Sequence, residues 1–538
     1  MNRKPHIVIF NPDEMRYDCV GHLGHNPAAL TPFLDEFVRE EAVSFDRAFC
    51  QNPVCVPSRC SFFTGLYPHV RGHRTMTYML HQEESSLFTE LLKEGYYVWM
   101  NTRNDLVAAQ IPGLLESHAA EIYYSSGDYI PQSSENSNPR GQMGDKNFYS
   151  HYVGKLNCDE NGISRSDDDC IVDAAIHRIM HPVDDRPMCL FLGLFYPHTP
   201  YNVEEPYFSA IDRSKLPPRA ARGVGKPLIH QALRDRYGMD SYTEEDWNEL
   251  RGVYHGMCLK LDGQFCRLVQ ALKDADIYDD TLIVILSDHG DFAGDYDLPE
   301  KAQNSFEDCL TRVPLIIKPP KSEPVDPGVS ESLVELVDFY ATVMDYVGVE
   351  PDHTQFGKSL RAVVADRSKK VRNVVYCEGG RLPGETHCDE YHAACGPTGV
   401  LPKIAMYWPR QDAQRDDEAH TKGTMIRGDR WKYIHRTSGA HELYDLEADP
   451  REEHNIYGQP GTEAVTAELR MKMLDWFQST SDIVPKKPDA RFPFKMVWQK
   501  IGRNFPPEAE PLAREIYSKG AGLAALPALL QQALEKMN

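Results

Sequence analysis

The chain has no Cys-x-x-Cys pair, no apolar run near the ~20 residues of a membrane span, and no surplus of basic residues. Each absence removes a class of protein. The thirteen cysteines are scattered and odd in number, which in 538 residues points to packed thiols in a reducing compartment, not to a disulfide scaffold. Near the start the apolar run is only Ile7–Phe10, shorter than the roughly 7–15 residues of a secretion-signal core. A cytoplasmic location, away from membranes, is therefore expected. Lys and Arg number 58 against 80 Asp and Glu, a formal charge of −22. That balance argues against nucleic acid or an anionic membrane as a partner, because phosphate affinity needs clustered cations. What remains is ordinary for a globular enzyme: 41% hydrophobic and 26% charged residues, in a chain long enough for several folded units.

His6–Phe10, Met188–Leu194, Thr281–Leu286 and Val313–Ile317 are short apolar runs of the kind found in buried parallel strands. They alternate with helical patterns at Thr31–Glu41, Ser86–Glu94, Asp168–Met180 and Trp247–Ala275. The expected fold class is α/β, a large and mostly parallel sheet between helices, forming a catalytic domain over 1–370. Ligands of such sheets sit beyond the carboxyl ends of the strands. Asp13 and Glu14 follow the first run, His198 the second, and Asp288 with His289 the third.

Past 370, Val374–Cys377, Thr424–Arg427, Arg430–Arg436 and His441–Tyr444 predict antiparallel hairpins, followed by a helix at Thr462–Ser479. A smaller α+β domain over 371–482 is expected. The tail, 483–538, ends in a helix-like stretch carrying Leu523, Leu526, Leu529, Leu530 and Leu534, interrupted by Pro527. It either packs on its own chain or touches another copy in a homo-oligomer.

The most specific string is Cys55-Val56-Pro57-Ser58-Arg59, followed by Thr64-Gly65. It resembles the signature of the type I sulfatases of the alkaline phosphatase superfamily. In that family a maturation enzyme oxidises the cysteine to formylglycine, so the resemblance makes Cys55 the precursor of the nucleophile. The hydrated aldehyde has two hydroxyls: one attacks sulfur and displaces the alcohol, and the other releases sulfate as the aldehyde re-forms. One hard step becomes two easier ones. Arg59, four positions on, can face Cys55 from the next helical turn. By resemblance it holds the hydrated aldehyde near a metal.

The same likeness implies a divalent metal held by Asp13, Glu14, Cys55, Asp288 and His289. Hard oxygen donors favour calcium or magnesium, while His289 also admits manganese or zinc, and calcium is the first expectation. Many relatives have a second aspartate where Glu14 stands. Lys301 matches the family's sulfate-contacting lysine, and His198, in Tyr196-Pro197-His198, its histidine near the leaving-group oxygen. Arg103 and Asp105 depart from the pattern, standing where relatives have a lysine and a histidine. Arg103 can still bind an oxyanion, through a bidentate fork. Asp105 could accept hydrogen bonds from a substrate hydroxyl, and with His73 it is a candidate for substrate binding. The expected activity is hydrolysis of a small carbohydrate or aryl sulfate. The alternative is a phosphonate monoester or phosphodiester hydrolase of the same superfamily.

Overall fold

The structure, a computed structural model, describes residues 4–124, 151–156, 165–351, 353–396, 399–403, 407–486 and 489–537. Its first strand, β1 (His6–Asp13), shows how the core is built. Val8 and Phe10 pack in one apolar cluster and Ile7 and Ile9 in another, so alternate side chains feed the two faces of one sheet. The other strands in this part of the chain are β2 (Val43–Phe49), β3 (Tyr97–Asn101), β4 (Glu121–Tyr123), β5 (Tyr152–Lys155), β6 (Met188–Pro197) and β7 (Tyr201–Val203). Then come β8 (Thr281–Leu286), β9 (Arg312–Val313), β10 (Leu315–Lys318) and β11 (Gly328–Glu335).

Among the described residues the main sheet has nine strands, in the order β11-β2-β10-β8-β1-β6-β3-β4, with β9 beside β2. β1 lies at its centre, parallel to both β6 and β8. The mostly parallel sheet expected from the sequence is present. One run behaves differently: Val313–Ile317 was expected as a buried parallel strand, yet β10 is antiparallel to β8 and to β2. Pro314 divides that run into β9 and β10, since it cannot donate to a ladder. β5 and β7 form a separate parallel pair.

The helices that matter for the site are α1 (Pro32–Glu40), α2 (Cys55–Thr64), α3 (Leu87–Lys93), α4 (Asp167–Met180), α5 (Glu244–Asp274) and α6 (Val337–Val347). Every residue of α2 is buried, and Gly65, at φ 72°, ends it in the left-handed conformation that glycine adopts without strain. α1 has no side-chain cap of its own. Asp262, on α5, supplies one by accepting the backbone N–H groups of Phe33 and Leu34 at 3.1 and 2.8 Å.

Further along, β12 (Val375–Gly379), β13 (Gly423–Arg427), β14 (Trp431–Arg436) and β15 (Glu442–Asp445) form an antiparallel four-stranded sheet. Two further helices, α7 (Trp408–Ala413) and α8 (Glu463–Thr480), belong to this part of the chain. By its internal contacts the chain forms two compact units, one of residues 1–350 with 355–481, the other of 351–354 with 482–538. The four-stranded sheet belongs to the first. In the second, α9 (Leu526–Met537) buries Leu526 and Leu530 while Leu529 stays exposed. Pro527, expected to interrupt this stretch, instead occupies its first turn, where a missing N–H costs nothing. Among the described residues no helix is long and apolar enough to cross a membrane.

Candidate active site

The carboxyl ends of β1, β6 and β8 and the N-terminus of α2 converge on one buried cluster. Cys55 is the first residue of α2 and is 2% exposed. Its Sγ lies 3.2 Å from Nε2 of His289, 3.3 Å from Nζ of Lys301 and 3.5 Å from Oδ1 of Asp13. Burial, then the Asp13 carboxylate, pushes the Cys55 thiol well above its ordinary range. The unmodified sulfur is therefore a protonated thiol and a poor nucleophile.

Arg59, fully buried one turn along α2, ties the strand ends together. Its Nε donates to Asp288 at 2.8 Å, its Nη2 to Asp13 at 2.8 Å, and its Nη1 to the Arg103 carbonyl at 3.1 Å. Arg103 donates to the same Asp13 oxygen at 2.6 Å and stacks over Phe195, 3.7 Å from the ring centroid. This approach requires Gly193 in β6, where a Cβ would lie 2.2 Å from the Arg103 carbonyl oxygen. Burial alone would raise the Asp13 carboxyl, but the guanidinium groups of Arg103 and Arg59 hold it well below the usual range.

Glu14 follows β1 in the left-handed region, at φ 70°. Tyr254 fixes its backbone by donating to the Glu14 carbonyl at 2.6 Å, and its own N–H donates to Asp288 at 3.2 Å. The side chain thereby meets Lys301 at 3.0 Å and Nε2 of His198 at 3.3 Å through one oxygen. Oε1, the other, is buried with no hydrogen-bond partner among the described residues. Burial lifts the Glu14 carboxyl well above the carboxylate range despite Lys301.

Both histidines are held by one nitrogen with the other free for chemistry. His289 donates Nδ1–H to the Gly290 carbonyl at 2.9 Å, so Nε2 carries the lone pair toward Cys55 and Asp13. His198 donates Nδ1–H to the Thr199 carbonyl at 2.6 Å. Burial keeps both rings neutral, lowering His289 to about 4 and His198 well below its ordinary value. Upstream of His198, Asp168 accepts the N–H groups of Phe195 and Tyr196 at 2.7 and 2.9 Å and so fixes the end of β6.

Asp13, Cys55, Asp288 and His289 can place one ligand atom each within 4.8 Å of one another, and so can Asp13, Glu14 and His198. This donor set, with the unpartnered Glu14 Oε1 beside it, fits a divalent cation. An orphaned buried carboxylate oxygen is costly unless a cation or hydrogen bond meets it.

The match to known families follows this geometry. Residues 5–349 match the family model described as Sulfatase, and residues 406–479 match N-sulphoglucosamine sulphohydrolase, C-terminal. The chain belongs to the sulfatase family. It is thus a sulfuric ester hydrolase of the alkaline phosphatase superfamily. One relative is the choline-sulfatase of Rhizobium meliloti (strain 1021), 26% identical over 95% of this chain and 94% of the relative. Another is the multifunctional alkaline phosphatase superfamily protein PehA of Trinickia caryophylli, 25% identical over 90% and 96%. The solved phosphonate monoester hydrolase of Agrobacterium radiobacter has the same fold, with a TM-score of 0.67 at 21% identity over 90% of this chain and 100% of that one.

Within this sulfatase-family enzyme, the structure gathers Asp13, Glu14, Cys55, Arg59, Arg103, His198, Asp288, His289 and Lys301. Asp105 stands at the rim, 30% exposed in its side chain, at φ 46° and 3.5 Å from Arg59. His73 is not brought into the cluster: its ring nitrogens engage the Tyr78 carbonyl at 2.9 Å and Glu84 at 2.8 Å. The sequence reading missed the groups that hold Lys301 in place. Tyr201 donates to Asp291 at 2.7 Å and accepts the Glu300 N–H at 2.9 Å, and Arg410 donates to the Glu300 carboxylate at 3.1 Å. Glu300 and Arg410 are 110 residues apart, a pairing no local pattern announces.

Proposed function

We propose that the protein hydrolyses the sulfate monoester of a carbohydrate or aryl alcohol, using Cys55 after conversion to formylglycine and one divalent ion, calcium first. The observation that carries this is the position of Cys55 Sγ, within 3.5 Å of Asp13, His289 and Lys301 at once. Asp13, Glu14, Asp288 and His289, with the residue at Cys55, would hold the ion. Bound there, it would lower the pKa of an attached hydroxyl and offset charge on the sulfuryl oxygens.

This chain's own groups do the rest. Arg59 and Arg103 orient Asp13, and through it the face of the ion site that meets Cys55. Lys301 points its ammonium at the atom where the nucleophile stands. Burial opposes that charge, but the acidic groups crowded around the ammonium outweigh it and hold the lysine above its ordinary range. It stays a cation, suited to the charge that grows on the sulfuryl group. His289 Nε2, with its lone pair 3.2 Å from Sγ, is the atom of this ring that would hold the ion beside the nucleophile. His198 Nε2, on the Glu14 side, is the nitrogen that can exchange a proton with the departing alcohol. Asp13, Cys55, Asp288, His289 and Lys301 are at most 2% exposed, so solvent screens these charges only weakly.

Maturation would need a formylglycine-generating partner in the host, and cytoplasmic action fits a small sulfated substrate. Peptide mass spectrometry on protein from its native host tests the proposal. The peptide carrying residue 55 is expected to hold an aldehyde, with turnover lost on chelation and restored by calcium. An unmodified thiol in active enzyme would overturn it.

A further inference from the structure

One aromatic group reaches the site from outside the stretch matched by the Sulfatase model. Tyr407 immediately precedes α7, and its ring stands edge-on to His198, with centroids 6.0 Å apart at 82°. Arg410, on α7, covers the Tyr407 ring at 4.8 Å. That arginine is itself buried and clamped between Glu300 at 3.1 Å and Glu390 at 2.9 Å, and Glu300 is the neighbour of Lys301. The tyrosine is thus fixed by its ring, while its hydroxyl has no hydrogen-bond partner among the described residues. Burial, then the Glu300 carboxylate, pushes the phenol up to about 12, against the opposing charges of Arg410, Lys301 and Arg103. It remains a donor at any physiological pH.

Position decides what it can donate to. Cys55 and Lys301 meet the sulfuryl group, and His198 stands where the alcohol departs. Tyr407 stands against the His198 ring, and so on the side of the site where the alcohol leaves. We infer that Tyr407 is a substrate-contacting residue that donates a hydrogen bond to an oxygen of the alcohol part of the ester and so sets which alcohols are accepted. The favoured alcohol carries a second oxygen, as a sugar does, beside the one bearing sulfate. The inference rests on the sulfatase reading of the site.

Tyr407→Phe keeps the ring contacts to His198 and Arg410 and removes only the hydroxyl. It is compared with the wild type on p-nitrophenyl sulfate and on a panel of monosaccharide sulfates. On the best sugar ester kcat/KM falls at least about tenfold, the scale of one lost hydrogen bond, and on the aryl ester no more than about threefold. An equal loss on both esters, or less than about threefold on the sugar ester, overturns the inference and leaves the sulfatase reading standing. So does a wild type that cleaves p-nitrophenyl sulfate but no sugar sulfate. Wild-type protein with Cys55 converted that cleaves no sulfate ester overturns the sulfatase reading, and the inference with it.

Discussion

Lys432 in β14 and Lys301 in the turn after β8 are both at most 1% exposed, yet their surroundings differ. The ammonium of Lys432 donates to the Phe306 carbonyl at 3.0 Å, Asp308 at 2.5 Å and Glu452 at 2.8 Å, so all three N–H groups are used. Lys301 has one carboxylate, Glu14, and the sulfur of Cys55. A buried cation with every donor satisfied is a joint, here between the four-stranded sheet and the segment that follows Lys301. A buried cation facing a thiol keeps capacity for an incoming oxygen. Stability and reactivity are thus drawn from the same interaction at two levels of completion.

Substitution separates the two. Lys432→Met leaves Glu452 buried without its cation, while Asp308 keeps Arg427 at 3.1 Å, and should cost about 3 kcal/mol, read as a lower urea midpoint with activity per folded molecule retained. Lys301→Ala should instead lower kcat/KM by about 10²–10³, the scale of losing one transition-state donor, with a much smaller shift in the midpoint. If Lys432→Met leaves the midpoint unmoved, or Lys301→Ala leaves the rate unmoved, the contrast fails.

A smaller effect concerns Asp262, a buried carboxylate with no cation beside it among the described residues. Burial raises its carboxyl to about 6, with Asp35 adding to the rise and the Leu34 and Phe33 N–H groups opposing it. Since the folded state raises this pKa, ionisation favours the unfolded chain. The cost is absent below about pH 4 and complete above about pH 6, reaching at most ~3 kcal/mol. Asp262→Asn removes the titration while keeping an acceptor for α1. Its stability relative to the wild type should rise between pH 4 and pH 6.5 in urea melts. A pH-independent difference would show that Asp262 is not strained by burial.

The sequence made the centre of the molecule legible because its physics is local there. Continuous apolar runs marked β1, β6 and β8, and acids or histidines at their ends marked the ligand side of the sheet. The four-residue spacing of Cys55 and Arg59 put both on one face of α2. Other features depend on contacts distant in sequence. β2 carries Asp46 and Arg47 in its middle, half-exposed near the edge of the sheet, and so lacks an apolar run. Asp262 takes its role as the cap of α1 only when α5 lies beside it. Arg410 and Tyr407 look like an ordinary polar stretch until α7 packs beside His198. His73 lay near the nucleophile motif in sequence, and its own loop claims both its nitrogens.

The central claim is that this buried anion site is built for sulfuryl transfer. The most direct test is kcat/KM of the converted, calcium-loaded enzyme for p-nitrophenyl sulfate and for p-nitrophenyl phenylphosphonate, measured side by side. The account predicts faster turnover of the sulfate ester. Turnover of the phosphonate far exceeding that of the sulfate would contradict it.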